Sequence, residues 1–269
     1  VTGAVPADDA SPAGVRDVKS AVRTVEVLEF LAGRQNRPAR LREISEALQV
    51  PKSSLYALLR TLGKQGWVRT DASGTLYGIG IRALLAGTSY LDTDPYVRLA
   101  QQHLDTLRAT VEETVHFGRL EGASIVYLAT KESGHAHRPY SRVGRQLPAY
   151  STALGKALLA ERGADELPRH LPPDLRPLTE HTLTSRELLL ADLAEVRERG
   201  YAVDRQENTP GVRCFGFALR YATPAVDAIS CSVPLSRLTP EHEEQIVRAM
   251  ADVRTVLERT APRAGDGLL

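Results

Sequence analysis

Residues Leu48–Val68 read LQVPKSSLYALLRTLGKQGWV. Proline at 51 lacks an amide hydrogen and has a preset φ, so it can open a helix at no cost. Leu55, Leu58, Leu59 and Leu62 then fall at i, i+3, i+4 and i+7, which places them in one apolar stripe. The other flank carries Lys52, Ser53, Ser54, Tyr56 and Arg60. A helix start presents unpaired N–H groups and the positive end of the dipole, so this flank suits an anion. After Gly66 the helical period ends. WVRT (67–70) and LYGI (76–79) are short strand-like runs joined by the turn-forming Asp71-Ala72-Ser73-Gly74.

Upstream, Val18, Ala21, Val22, Val25 and Leu28 keep helical spacing and predict a helix over 18–32, ended by Gly33. Leu41, Ile44 and Leu48 predict a second helix, broken tightly at Gln49-Val50. Three helices and a hairpin within about 65 residues define a winged helix-turn-helix. In that motif the N-terminal part of the third helix enters the major groove of DNA. Lys52 and Arg60 are then placed for phosphates, and Ser53, Ser54 and Tyr56 for phosphates or base edges. Arg40 and Arg42 start the preceding helix and could grip the backbone across the groove, while Arg69 on the wing could reach flanking phosphates. The competing reading is an ordinary solvated helix face. Charge favours the first: residues 1–88 hold 12 Lys+Arg against 8 Asp+Glu, and the remainder 22 against 25.

The remaining chain reads as a second domain. Residues 1–15 have a disordered leader's composition, the DNA-binding domain spans 16–79, and 80–93 reads as a linker helix. Asp94-Pro95 is an N-cap and first-turn pair ahead of Val97, Ala100, Leu104, Leu107 and Val111. Strands are expected from Val115, after Glu121-Gly122, and near 200–205, 213–221 and 226–233. Helices are expected near 151–161 and 185–199 and from Pro240, with a frayed tail over 261–269. Residues 94–260 therefore make an α+β domain with a central antiparallel sheet. The whole chain, at 269 residues with 42% hydrophobic and 25% charged residues, can bury such cores. It lacks a secretory pattern and an apolar run of membrane length. Two cysteines make no disulfide framework, so a reduced, cytoplasmic setting is expected.

Several segments together resemble the IclR family of bacterial transcriptional regulators: AVRTVEVLEFLAG, LREISEALQVPKSSLYALLRTLGKQGWV, GRQLPAYSTALGKALLA and GYAVDRQENTPGVRCFGFAL. The likeness runs from about Val18 to Arg259. It implies a GAF-like effector-binding domain, a small carboxylate or sugar-acid effector, and a homodimer or tetramer built as a dimer of dimers. It also implies that Asp204, Cys214, Ser230 and Ser232 line the effector pocket, with Ala153 and Leu154 at its floor and Ala136 and Pro139 on a covering loop. The family often has arginine where this chain has Ala57, which implies an altered operator sequence.

The residues themselves are compatible with that pocket. Ser230 and Ser232 are two apart, so both point to one face of a strand. YSTALGKALLA sets small residues and a glycine at a helix start, where an anion could meet backbone N–H groups. Blander readings stand beside these: an exposed sheet face for the serines, a small hydrophobe for Cys214, and a snorkelling side chain for Lys156.

The expected function is a DNA-binding regulator, read as a repressor, whose hold on a palindromic operator is set by a metabolite. No catalytic residue, cofactor or metal is assigned. The alternative is an enzyme or metal protein acting through the C-terminal domain. His135-Ala136-His137 with Asp204 and Cys214 supplies metal-type ligands. No C-x-x-C accompanies them, and neither a nucleophile elbow nor a phosphate-binding or dinucleotide loop occurs.

Overall fold

A computed structural model describes residues 17–34, 37–136 and 142–262. The expected leader, Pro139, His137 and most of the tail lie outside the described residues. The chain divides between Tyr90 and Leu91 into two compact units.

In the first unit α1 (Lys19–Gly33), α2 (Leu41–Leu48) and α3 (Lys52–Lys64) precede a hairpin of β2 (Val68–Thr70) and β3 (Leu76–Ile79). Val27, Leu31, Ile44, Leu55, Leu59 and Leu62 form its core, so the leucine stripe of α3 faces inward. Gln49 takes a left-handed φ of 53° and turns α2 into α3. Pro51 is the residue that caps α3 rather than its first helical residue. At the wing tip Asp71 accepts the backbone N–H groups of Thr75 (2.9 Å) and Leu76 (2.8 Å). A two-residue strand, β1 (Ala39–Arg40), pairs with β3 and completes a sheet in the order β1-β3-β2. Trp67 ends the α3–β2 connection, and its carbonyl accepts the N–H of Gly80 (2.7 Å). The next helix, α4 (Ile81–Thr93), buries no residue, and Ile81, Leu84, Leu85 and Tyr90 are exposed.

The second unit is built on six antiparallel strands: β4 (Thr114–Glu121), β5 (Ser124–Lys131), β6 (Gln146–Pro148), β7 (Ala202–Arg205), β8 (Val212–Leu219) and β9 (Asp227–Pro234). Their order is β6-β5-β4-β9-β8-β7. One face packs on α5 (Pro95–Val111), capped by Asp94, and on α8 (Pro240–Thr260). Its core includes Leu104, Phe117, Phe215, Phe217, Ile229, Ile246 and Met250. The other face packs on α6 (Ala153–Leu159) and α7 (Arg186–Arg199), through Leu154, Leu158, Leu189, Leu193 and Val196. The helix expected over 151–161 is shorter, Ala153–Leu159 capped by Thr152, and a 3-10 turn at Ala149–Ser151 precedes it.

Glycine decides how closely α6 approaches. A Cβ on Gly216 of β8 would collide with the backbone of Ala153, and one on Gly155 with that of Ala149. The glycine in ALGKALL thus serves backbone packing. Close approach also sets the fate of Lys156. It is fully buried, because a helix covered all round offers no route to water, so it does not snorkel. Its Nζ instead pairs with Glu207 Oε1 at 2.6 Å and Asp192 Oδ2 at 2.9 Å.

Candidate functional site

Two surfaces carry chemistry, one in each unit. On α3, Lys52, Ser53, Ser54, Tyr56, Ala57 and Arg60 are all exposed, opposite the buried leucines. Arg40, at the N-cap of α2, and Arg69, on β2 opposite Gly78, are exposed as well. Arg42 is exposed but pairs with Glu46 at 2.6 Å, which partly offsets its charge.

In the second unit a cavity of about 160 Å³ lies between the α6 face of the sheet and the segments beside α6. Strand alternation supplies its floor. Asp204, Cys214 and Ser232 are neighbours across β7, β8 and β9, and one rung along Gly216, Ser230 and His116 are neighbours across β8, β9 and β4. Gly216, having no side chain, admits α6, while its neighbours Ser230 and His116 line the cavity. Ala153 and Leu154 close it from the α6 side. Six of the residues expected at the pocket therefore come together. Ser230 and Ser232 are buried, not on an exposed sheet face. Ala136 is exposed and is not among the residues that line the cavity. Pro139 lies outside the described residues.

The cavity also holds groups that the sequence reading missed: His116, Tyr127, Arg145, Thr152, Asn208 and Thr209. Gly144 N–H donates to the Tyr127 carbonyl (2.8 Å) and Tyr127 N–H to the Arg145 carbonyl (2.9 Å), which seats Arg145 beside β5. His116 stacks edge-on against Tyr127, with ring centroids 5.0 Å apart. Burial, then the nearby Arg145 charge, holds the His116 imidazole down to about 3, so it is neutral. At the other end burial and then the Glu207 charge push Asp204 up to about 7, although its Oδ1 accepts the Glu207 N–H at 2.6 Å. Cys214 Sγ lies 3.2 Å from Ser232 Oγ, and burial raises its thiol well above the ordinary range. The cavity thus combines polar groups with apolar walls from Leu147, Ala153, Leu154 and Val212, with a cation at the β5 end and a protonatable carboxyl at the β7 end.

Among the described residues, no group of three or more His, Cys, Asp or Glu side chains is placed to hold a metal ion. Nor, among them, is any helix long and apolar enough to cross a membrane.

A winged helix with a basic outer face, joined to a domain with a polar internal cavity, defines a ligand-responsive DNA-binding regulator. Comparison with known proteins gives the family. The IclR helix-turn-helix domain matches residues 20–72, and the C-terminal domain of the bacterial transcriptional regulator IclR matches residues 88–256. The chain belongs to the IclR family of transcriptional regulators, with an N-terminal DNA-binding domain and a C-terminal effector-binding domain. It is 32% identical over 251 residues to the HTH-type transcriptional regulator KdgR of Escherichia coli, covering 92% of this chain and 93% of KdgR. It is 30% identical to the E. coli transcriptional repressor IclR, covering 89% and 88%. An IclR transcriptional regulator from Alicyclobacillus acidocaldarius has the same fold, with a TM-score of 0.79 at 26% identity, covering 91% of this chain and 99% of that one.

Proposed function

We propose that the chain is a cytoplasmic repressor whose cavity takes a small carboxylate or sugar acid, and that occupancy of the cavity changes its hold on DNA. The observation that carries this reading is the cavity with Arg145 at one end and Asp204, Asn208 and Ser232 towards the other. Such a lining suits a small carboxylate bearing hydroxyl or keto groups, with Leu147, Leu154 and Val212 to cover its carbon skeleton. Its volume resembles that of an engineered cavity that accepts benzene, about 150 Å³, so the ligand is of that order of size. The ligand shifts DNA affinity only through a difference in its affinity for two states of the protein. It leaves chemically unchanged: the chain acts by binding, not turnover.

On DNA, Lys52 and Arg60 contact phosphates, Ser53, Ser54 and Tyr56 contact phosphates or base edges, and Arg40, Arg42 and Arg69 hold flanking backbone. One such domain buries too little for strong specific binding, roughly 600–1,000 Å². Two copies on a palindromic operator supply the rest. Exposed Val18 at the N-cap of α1, Val22 and Val25 on it, and Ile81, Leu84 and Leu85 of α4 support a dimer seam there, and two dimers form a tetramer.

The test uses full-length protein, DNA from its own promoter region and small carboxylates scored by thermal stabilisation. Asp204→Ala or Ser230→Ala should leave DNA binding intact and abolish the effect of a stabilising acid on it. An unchanged acid response in both variants removes these residues from the effector site.

A further inference from the structure

The outward face of α3 has a definite centre. Ser53, Ala57, Arg60 and Lys64 follow one another at i, i+4, i+7 and i+11, and all four are exposed. They lie opposite Leu55, Leu59 and Leu62, which are buried. A helix seated on those leucines presents this ridge most directly to whatever it meets. Tyr56 sits to one side: Tyr77 of β3 has its phenol raised by burial and then by the nearby Tyr56, which places Tyr56 towards the wing. Lys52, the first helical residue, lies about 140° round the helix from Ala57, so it is placed for a phosphate rather than a base. The hydroxyl of Thr61 is turned back onto the Ala57 carbonyl at 3.0 Å.

Base-edge chemistry narrows what this ridge can read. Guanine is read in the major groove by arginine or lysine forks, adenine by asparagine or glutamine, and the thymine methyl by apolar contact, alanine included. The first two turns of α3, Lys52–Leu59, contain no Arg, Asn or Gln. At the centre of the ridge, where base edges are met, stands a methyl group with a serine one turn before it.

We propose that Ala57 is a specificity-determining residue whose side-chain methyl packs on the 5-methyl of a thymine in each operator half-site. The inference rests on the reading that α3 enters the major groove. It assigns the base pair under the middle of α3 as T·A, with Ser53 tolerant of its neighbour and Arg60 and Lys64 holding the far side. Ala57 is then no passive gap: it selects against cytosine, which lacks the methyl, and leaves guanine without its fork.

The test is selection of bound sequences from random duplex DNA by the full-length protein, followed by replacement of each selected thymine with uracil, which removes only the 5-methyl. One position per half-site should lose about fourfold in affinity, the worth of one buried methyl. In Ala57→Gly that thymine-to-uracil ratio should fall to one. Because both duplexes are measured on the same variant, any loss of helix stability cancels. In Ala57→Arg the selected base at that position should change to guanine. Salt-sensitive binding with no uracil penalty at any position, or a penalty that survives in Ala57→Gly, overturns the proposal and leaves the regulator reading standing. Absence of any salt-sensitive DNA binding overturns both.

Discussion

Asp204 and His116 share a cavity yet titrate in opposite senses. Burial and the Glu207 charge raise Asp204 to about 7, so the folded protein keeps a proton that the unfolded chain releases from about pH 4 upward. The stability tied to that proton is full below pH 4, falls through pH 4–7 and is gone above it. At 1.36 kcal/mol per unit, the loss is about 4 kcal/mol across the window. Neutral His116, held to about 3, works the other way: the unfolded chain gains a proton below about pH 6.5 that the folded one refuses. The two slopes largely cancel between pH 4 and 6.5, so wild-type stability alone would hide both. Asp204→Asn removes one of them. Urea unfolding of both proteins from pH 4 to 8 should show Asp204→Asn gaining on wild type as pH rises, by up to about 4 kcal/mol. A constant difference would mean that Asp204 is ionised throughout. Glu207 is also raised, chiefly by burial, and because its charge acts on Asp204 the difference between the two proteins reports the coupled pair.

Among the elements, α6 is held by charge as well as by close packing. Lys156 reaches from it to Asp192 on α7 and to Glu207 in the β7–β8 connection, and Arg205 adds a contact to Asp192 at 3.3 Å. Lys156→Met leaves two carboxylates facing each other in the interior, and should cost about 3–5 kcal/mol in urea unfolding. Adding Glu207→Gln should recover part of that loss, and a cost below about 1 kcal/mol for Lys156→Met would show the carboxylates to be relieved some other way. Such a cluster was only half legible beforehand. A lysine inside ALGKALL, apolar all round, could have been read as buried, since no face of that helix points to water. Its partners could not, because they come from 36 and 51 positions away in sequence. The same distinction runs through the fold. Helices α1 to α3 and the β2–β3 hairpin follow from period and turn chemistry within a dozen residues. β1 and β6 are two and three residues long and exist only by pairing, Ala39 with Tyr77 and Pro148 with Ser124. At the cavity, Ser230 and Ser232 were placed on one face by alternation alone. His116 was missed because its seat beside Ser230 depends on β4 and β9 being neighbours, a fact of strand order.

At the scale of the whole molecule the open question is what covers the apolar side chains that neither unit buries. Val18 is 65% exposed, Ile81 65%, Leu84 59% and Leu85 57%, more apolar surface than a small basic domain usually leaves to water. Under the proposed dimer, Leu84→Glu with Leu85→Glu should lower the mass seen in sedimentation and weaken binding to paired half-sites far more than to a single one. Wild-type mass in that variant would put the seam elsewhere. Folding of each unit alone is not at issue, since neither leucine belongs to a core. One further consequence follows from the composition of the connection after α3. Trp67 is the chain's single tryptophan, and it stands at the root of the wing. Excited where tyrosine no longer absorbs, its emission therefore comes from the DNA-binding unit alone. A non-absorbing metabolite that binds the effector cavity and alters that emission through Asp204 and Ser230 has sent its influence to the other unit, which makes the native protein its own optical reporter of communication between its two halves.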